Sequence, residues 1–184
     1  MHEARFNPPR IARCTSPASL MIGRTFLFLA LVLGGCAKVA PLDEKVVATS
    51  DSDFEMWKSD AAGDFTLQEW QDFDGALEDI KLDVMASGKG SGANGVSNAA
   101  YARINGKTVR EVLKTGFDLK LKRLGDEREK VAAFLAINKK FKTRPGDEES
   151  ATQLANIREE QERRLAVLDG HLADAREVVQ RRGL

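Results

Sequence analysis

Residues 108–142, TVREVLKTGFDLKLKRLGDEREKVAAFLAINKKFK, and residues 148–182, EESATQLANIREEQERRLAVLDGHLADAREVVQRR, are separated only by TRPGD at 143–147. In the first stretch Val109, Val112, Leu113, Phe117, Leu121, Leu124, Val131, Leu135 and Phe141 recur at helical spacing. In the second, Leu154, Ile157, Leu165, Leu168, Leu172, Ala175 and Val179 do the same. Each period marks an amphipathic helix with one apolar face. Pro145 and Gly146 end the first helix, because the ring restricts Arg144 and Gly weakens helix continuation. Two helices of equal length joined by a tight turn fold back as an antiparallel hairpin, each arm about 50 Å long at ~1.5 Å per residue. If position 145 is the fold-back point, Leu135 meets Leu154 or Ile157, and Leu124 meets Leu165 or Leu168. Glu159 with Arg163, Glu160 with Arg164, Asp118 with Lys122 and Asp126 with Lys130 set acid four residues before base, the favourable order on a solvated helix face.

The rest of the chain fits around this hairpin. With 184 residues, 28 Lys plus Arg, 28 Asp plus Glu and 42% hydrophobic residues, it holds one globular unit. Only 2 His, 2 Cys and 5 Pro are present, which disfavours zinc clusters, disulfide scaffolds and Cys/His nucleophile pairs. Zero net charge argues against a nucleic-acid partner. Residues 86–106, with five Gly, read as a flexible linker to the hairpin at 107–184. Residues 52–85 hold two helices, started by Ser52-x-x-Glu55 and Thr66-x-x-Glu69, and Thr108-x-x-Glu111 starts the hairpin in the same way. Charge is segregated. Residues 51–83 carry 11 acidic and 2 basic side chains, whereas 103–184 carry 19 basic and 14 acidic, so the front unit is drawn onto the hairpin.

The front unit contains the one motif with metal chemistry. FEMWKSDAAGDFTLQEWQDFDGAL, residues 54–77, resembles a single EF-hand. The resemblance puts Lys58 at loop place 1, Asp60 at 3, Ala62 at 5, Gly63 at the sharp turn, Asp64 at 7, Thr66 at 9 and Glu69 at 12. Lys58 and Ala62 supply no carboxylate where calcium needs oxygen. The expected form is therefore degenerate and metal-free, closed by a structural charge pair of Lys58 with Glu69 or Asp60. The alternatives are an unrelated pair of capped helices and a calcium-responsive binding protein using Asp60, Asp64, Thr66 and Glu69. Phe54, Trp57, Phe65, Trp70 and Phe73 cluster within twenty residues and are expected to form a small core.

Ahead of this lies MIGRTFLFLALVLGGC, residues 21–36, with an apolar run at 26–33. The run is too short for a bilayer-spanning helix, which needs about 20 residues, and reads as a signal-peptide core. The ending Leu33-Gly34-Gly35-Cys36 resembles the bacterial lipobox. The resemblance implies a signal peptide at 1–35, translated from Met1 or Met21, and a covalent lipid on Cys36 as the first mature residue. Residues 36–51 then form a lipidated tether. Ala37, by the same resemblance, fits export to the outer membrane facing the periplasm.

The expected protein is all-α: a short helix-loop-helix plus a long antiparallel, coiled-coil-like helical hairpin after a cleaved signal peptide. Its expected role is that of an envelope lipoprotein acting as a helical interaction or structural module. Its partners would be the membrane, through the lipid, and another envelope protein or a second copy of itself. No cofactor and no catalysis are expected. His171, the one His after the signal peptide, has no Ser or Cys partner near it in sequence, and no nucleotide-loop, hydrolase or metalloprotease motif appears.

Overall fold

Residues 40–92 and 94–184 are described by a computed structural model. The expected signal peptide at 1–35 and the expected lipidation site Cys36 lie outside them. Among the described residues the fold is all-α, with a 3-10 turn at Pro41–Asp43 followed by α1 (Asp51–Ala61), α2 (Leu67–Ala86), α3 (Gly95–Ile104), α4 (Val109–Lys140) and α5 (Glu148–Arg182). Thr66 with Glu69 and Thr108 with Glu111 form complete capping boxes at the starts of α2 and α4. The start of α1 lies two residues earlier than the sequence suggests. Ser50, not Ser52, accepts the Asp53 N–H as the cap. Asp147 accepts from the Ser150 N–H at the start of α5, and Gly183 closes that helix in the left-handed region at φ 62°.

The hairpin forms as α4 against α5; Leu124 clusters with Leu168 and Leu165 as expected, and the register departs from the expected one toward the tip. Arg164 pairs with Glu127 at 2.6 Å, Arg128 with Asp169 at 2.5 Å and Lys139 with Glu162 at 2.9 Å, all across the two helices. Leu124 and Val131 are buried in one cluster with Leu168 and Leu172, and Ile157 is left exposed. The fold-back point therefore falls later than 145. After α4 the chain turns extended at Phe141, and the Asp147 N–H donates to the Arg144 carbonyl before α5 begins. A polar layer interrupts the seam near the tip: Arg158 donates to the carbonyls of Asn138 (2.7 Å) and Phe141 (2.8 Å), satisfying the last turn of α4. Asn138 itself is buried there. Polar seam residues of this kind fix register at some expense of stability.

Two segments expected to be loose are part of the core. Residues 86–106 are not a free linker, because α3 occupies Gly95–Ile104 and buries Ala100, Tyr101 and Ile104. The far half of the tether is pinned in the same way. Val46 donates to the Lys107 carbonyl (2.8 Å) and accepts from Gly106 (2.8 Å), and Val109 donates to Glu44 (2.9 Å). Lys45 and Thr108 form an antiparallel bridge, and Val46 and Ala48 are buried. One apolar cluster thus joins this segment, α1, α2, α3, the first turns of α4 and Ala175 of α5.

α2 lies along α4 in the same direction, Ala76 beside Gly116 and Asp79 beside Arg123. A Cβ at Gly116 would sit 2.4 Å from the Ala76 carbonyl oxygen and 2.5 Å from its Cα and Cβ, so only glycine permits this crossing. Gly125, nine residues on, has nothing within 4 Å of its would-be Cβ. The two glycines make a matched test. Gly116→Ala is expected to lower unfolding stability by about 3 kcal/mol through overpacking, and Gly125→Ala to raise it by up to ~1 kcal/mol through helix propensity. Urea denaturation of the two variants checks this, and equal effects would mean that α2 does not pack as described.

Candidate functional site

The EF-hand-like stretch departs from its twelve-residue reading. α1 continues through Lys58, Asp60 and Ala61, so the non-helical chain between α1 and α2 is only residues 62–66. Glu69, at the last ligand place, is already committed. Its Oε2 accepts from the Thr66 N–H at 2.8 Å and the Thr66 hydroxyl at 2.9 Å, and its Oε1 accepts from Arg182 Nη1 at 3.0 Å. Asp60 is exposed at the end of α1, and Asp64 and Thr66 sit in the connecting turn. Among the described residues no group of three or more His, Cys, Asp or Glu side chains is gathered as a metal ion would require.

The expected charge pair is replaced by another. Lys58 does not reach Glu69; its ammonium pairs with Asp74 at 2.9 Å and lies 5.4 Å from the Trp70 ring centroid and 5.8 Å from that of Phe54. The α1 turn points the Lys58 side chain along α2 rather than back to its start. Arg182, at the C-terminal end of α5, comes to Glu69 instead. Its Nε and Nη2 bind Asp72 Oδ2 at 2.9 and 2.7 Å while Nη1 takes Glu69. Gln68 donates to the other Asp72 oxygen at 3.0 Å, and Arg181 reaches Asp72 at 3.4 Å. The Asp72 and Arg182 side chains are only 6% and 13% exposed, so this pair is desolvated. The Thr66 backbone N–H, and after it the Thr66 hydroxyl and the Arg182 guanidinium, hold the Glu69 carboxyl below its ordinary value despite partial burial. The acidic stretch and the terminal Arg-Arg were the sequence signals for this clamp, but only the antiparallel return of α5 brings them together.

Around the clamp, the aromatic cluster is a core. Trp70 meets Phe73 edge-on at 5.9 Å and Phe65 at 4.9 Å, Phe54 lies 4.8 Å from Tyr101, and the Trp57 indole donates to Glu44 at 3.0 Å. Two further ion pairs fasten α2, Asp79 to Arg123 of α4 at 2.5 Å and Asp83 to Arg103 of α3 at 2.6 Å. The solvated-face pairs rearrange as well, since Arg164 crosses to Glu127 and Glu160 takes Arg163. His171 is exposed on α5.

Two hollows follow α2 toward the hairpin tip. One, of about 570 Å³, lies where α2 ends and is lined by Leu82, Ala86, Arg123, Glu127, Lys130 and Arg164 among others. The next, of about 300 Å³, is lined by Glu127, Lys130, Val131, Phe134, Gln161 and Arg164. Beyond them the hairpin arms pack only on each other, and Phe134, Ile137, Phe141 and Ile157 are exposed. In the first hollow Asp79 pairs with Arg123 and Glu127 with Arg164. The chain matches no protein-family model, no curated protein and no solved structure.

Arg182→Ala is expected to cost about 3 kcal/mol, because it strands Asp72 in a desolvated place, whereas Arg181→Ala, whose side chain is 42% exposed, should cost under ~1 kcal/mol. Because the Glu69 pKa is lowered on folding, its contribution is present above the ordinary value of 4.5 and is lost as pH falls below that through the folded value. A Glu69→Gln variant should therefore show a shallower loss of melting temperature than the parent as pH falls from about 5 to about 3. With Glu69 held by Thr66 and Arg182, millimolar calcium should leave Trp57 and Trp70 fluorescence and the melting temperature unchanged; a saturable shift at micromolar calcium would restore the ligand reading of the loop.

Proposed function

We propose that this chain is a lipid-anchored protein of the bacterial cell envelope, exported to the outer membrane, that presents a helical hairpin as an interaction or structural module and performs no catalysis. The anchor rests on the sequence FLFLALVLGGC at 26–36, with Cys36 as the acylated residue. No helix among the described residues is long and apolar enough to cross a membrane, so in this reading the lipid is the attachment. Lipoprotein acyl chains at ~0.8 kcal/mol per buried CH₂ supply ample affinity when more than one is present.

The observation that carries the module reading is the polarity of the molecule. The described chain enters at the N-terminal end of α4, where residues 44–48 lie against 105–109, and α5 returns to that end with its Arg182 clamp. The hairpin tip stands at the other end of α4, ~48 Å away at ~1.5 Å per residue. The tip is thus the end of the described molecule away from the entry of its chain. The test is Cys36→Ser. The parent should incorporate a palmitate analogue and sediment with envelope membranes, and the variant should do neither. Unlabelled protein that still sediments would overturn the lipid anchor.

A further inference from the structure

Burial stops partway along the hairpin. The buried side chains of α4 run as far as Leu135, and the apolar ones of α5 begin again only at Leu168. Between them, from 136 through the turn to 167, Asn138 alone is buried. It is a costly residue to enclose, because its Nδ2 is buried with no hydrogen-bond partner. Around this stretch Phe134, Ile137, Phe141 and Ile157 remain 49, 53, 59 and 43% exposed with the arms closed, and Leu154 is half-buried.

We infer that residues 136–164 form a separately opening unit, whose arms part and reseal above Leu135 and Leu165 while the helices at the base stay packed. The inference goes beyond the module reading and holds whether or not Cys36 carries lipid. Arg158 is the latch of this unit. Its Nε and Nη2 donate to the Asn138 carbonyl at 3.2 and 2.7 Å, and Nη2 donates to the Phe141 carbonyl at 2.8 Å. Lys139 also crosses to Glu162, but these side chains are 56 and 54% exposed, and such surface pairs hold weakly in water and salt.

Opening and closing are closely balanced. Parting the arms forfeits the burial of Leu135 and the charge-assisted bonds of Arg158, while the Asn138 amide gains water, which offsets part of the loss. Little other apolar area is at stake, since the large side chains nearby already meet water when the arms are closed. Once parted, the N-terminal half of α5 has no face to pack on, and a lone helix of that length is marginal in water. Its amides are therefore released together. The base differs in kind, because Val46, Ile104 and Val112, 0 to 1% exposed, sit in the shared cluster. Elements poor in buried contacts open well below the global unfolding free energy.

Hydrogen–deuterium exchange of the full chain, read amide by amide by mass spectrometry across a urea series, tests this. Amides of 152–164 should be protected at least about a hundredfold less than those of 112–117 and 172–178, should share one opening equilibrium, and should depend on urea less than half as steeply. Asn138→Leu, which gives the seam an apolar side chain in place of the unpartnered amide, should raise the protection of the tip at least about fivefold. Val112→Ala, at the base, should lower protection there at least about tenfold and leave the tip within about twofold of the parent, because a local opening starts from the folded base. Tip amides that share the rate and urea slope of the base, that follow the base in Val112→Ala, or that loosen one by one toward residue 144 with no common opening would each overturn the inference. So would an Asn138→Leu chain whose tip is no better protected.

Discussion

The close crossing of α2 over Gly116 sets the rest of the molecule. Without a side chain at 116, the α2 backbone at Ala76 settles against α4 at a distance that any Cβ would forbid. That contact fixes both the height and the rotation of α2. One consequence is apolar: Phe73, Leu77 and Ile80, one turn either side of Ala76, enter the common cluster with Leu113 and Phe117. Another is electrostatic, because the same placement sets Asp79 beside Arg123 and lifts Glu69 and Asp72 to the end of α5, where Arg182 waits. A helix pair that meets through small residues has few ways to slide, since interiors packed at this density resist even a methylene of change.

The ion pairs act on top of that packing. Most are half exposed and contribute little apiece. Their arrangement carries information, however, because the acidic helix can satisfy Asp72, Asp79 and Asp83 only when Arg182, Arg123 and Arg103 arrive from three different elements. The desolvated Asp72 and Arg182 are the strictest of these, since either one alone in that place would be costly. Charge segregation along the chain is thereby converted into a unique assembly of its parts.

The hairpin was legible because its signal is local. Two apolar stripes of matched length and the Pro145-Gly146 break need no tertiary knowledge. Its register was legible at Leu124 with Leu168 and not at the tip, where Arg158 reaches the Asn138 carbonyl and Ile157 is left exposed. α3 was hidden by its surroundings. Val96, Ala100, Tyr101 and Ile104 carry a helical pattern, but the glycines around them dominate a reading by composition. The burial of Val46 and Ala48 was invisible for a related reason, as a five-residue segment has too few positions to show alternation. The EF-hand-like spacing identified two helices and the Thr66 cap correctly and misjudged the cation. An internal positive charge does meet Glu69, but it is a guanidinium from the opposite end of the chain. Contacts 113 residues apart in sequence are beyond any motif.

The pinned segment at 44–48 also has a mechanical meaning. A pull exerted on the chain ahead of residue 40 does not arrive first at the hairpin seam or at the ion pairs of α2. It is taken up by the backbone bonds that Glu44 and Val46 share with Gly106, Lys107 and Val109, and by the two buried side chains beside them. These bonds join the entering segment to the turn between α3 and α4, so the load falls on them ahead of the common apolar cluster.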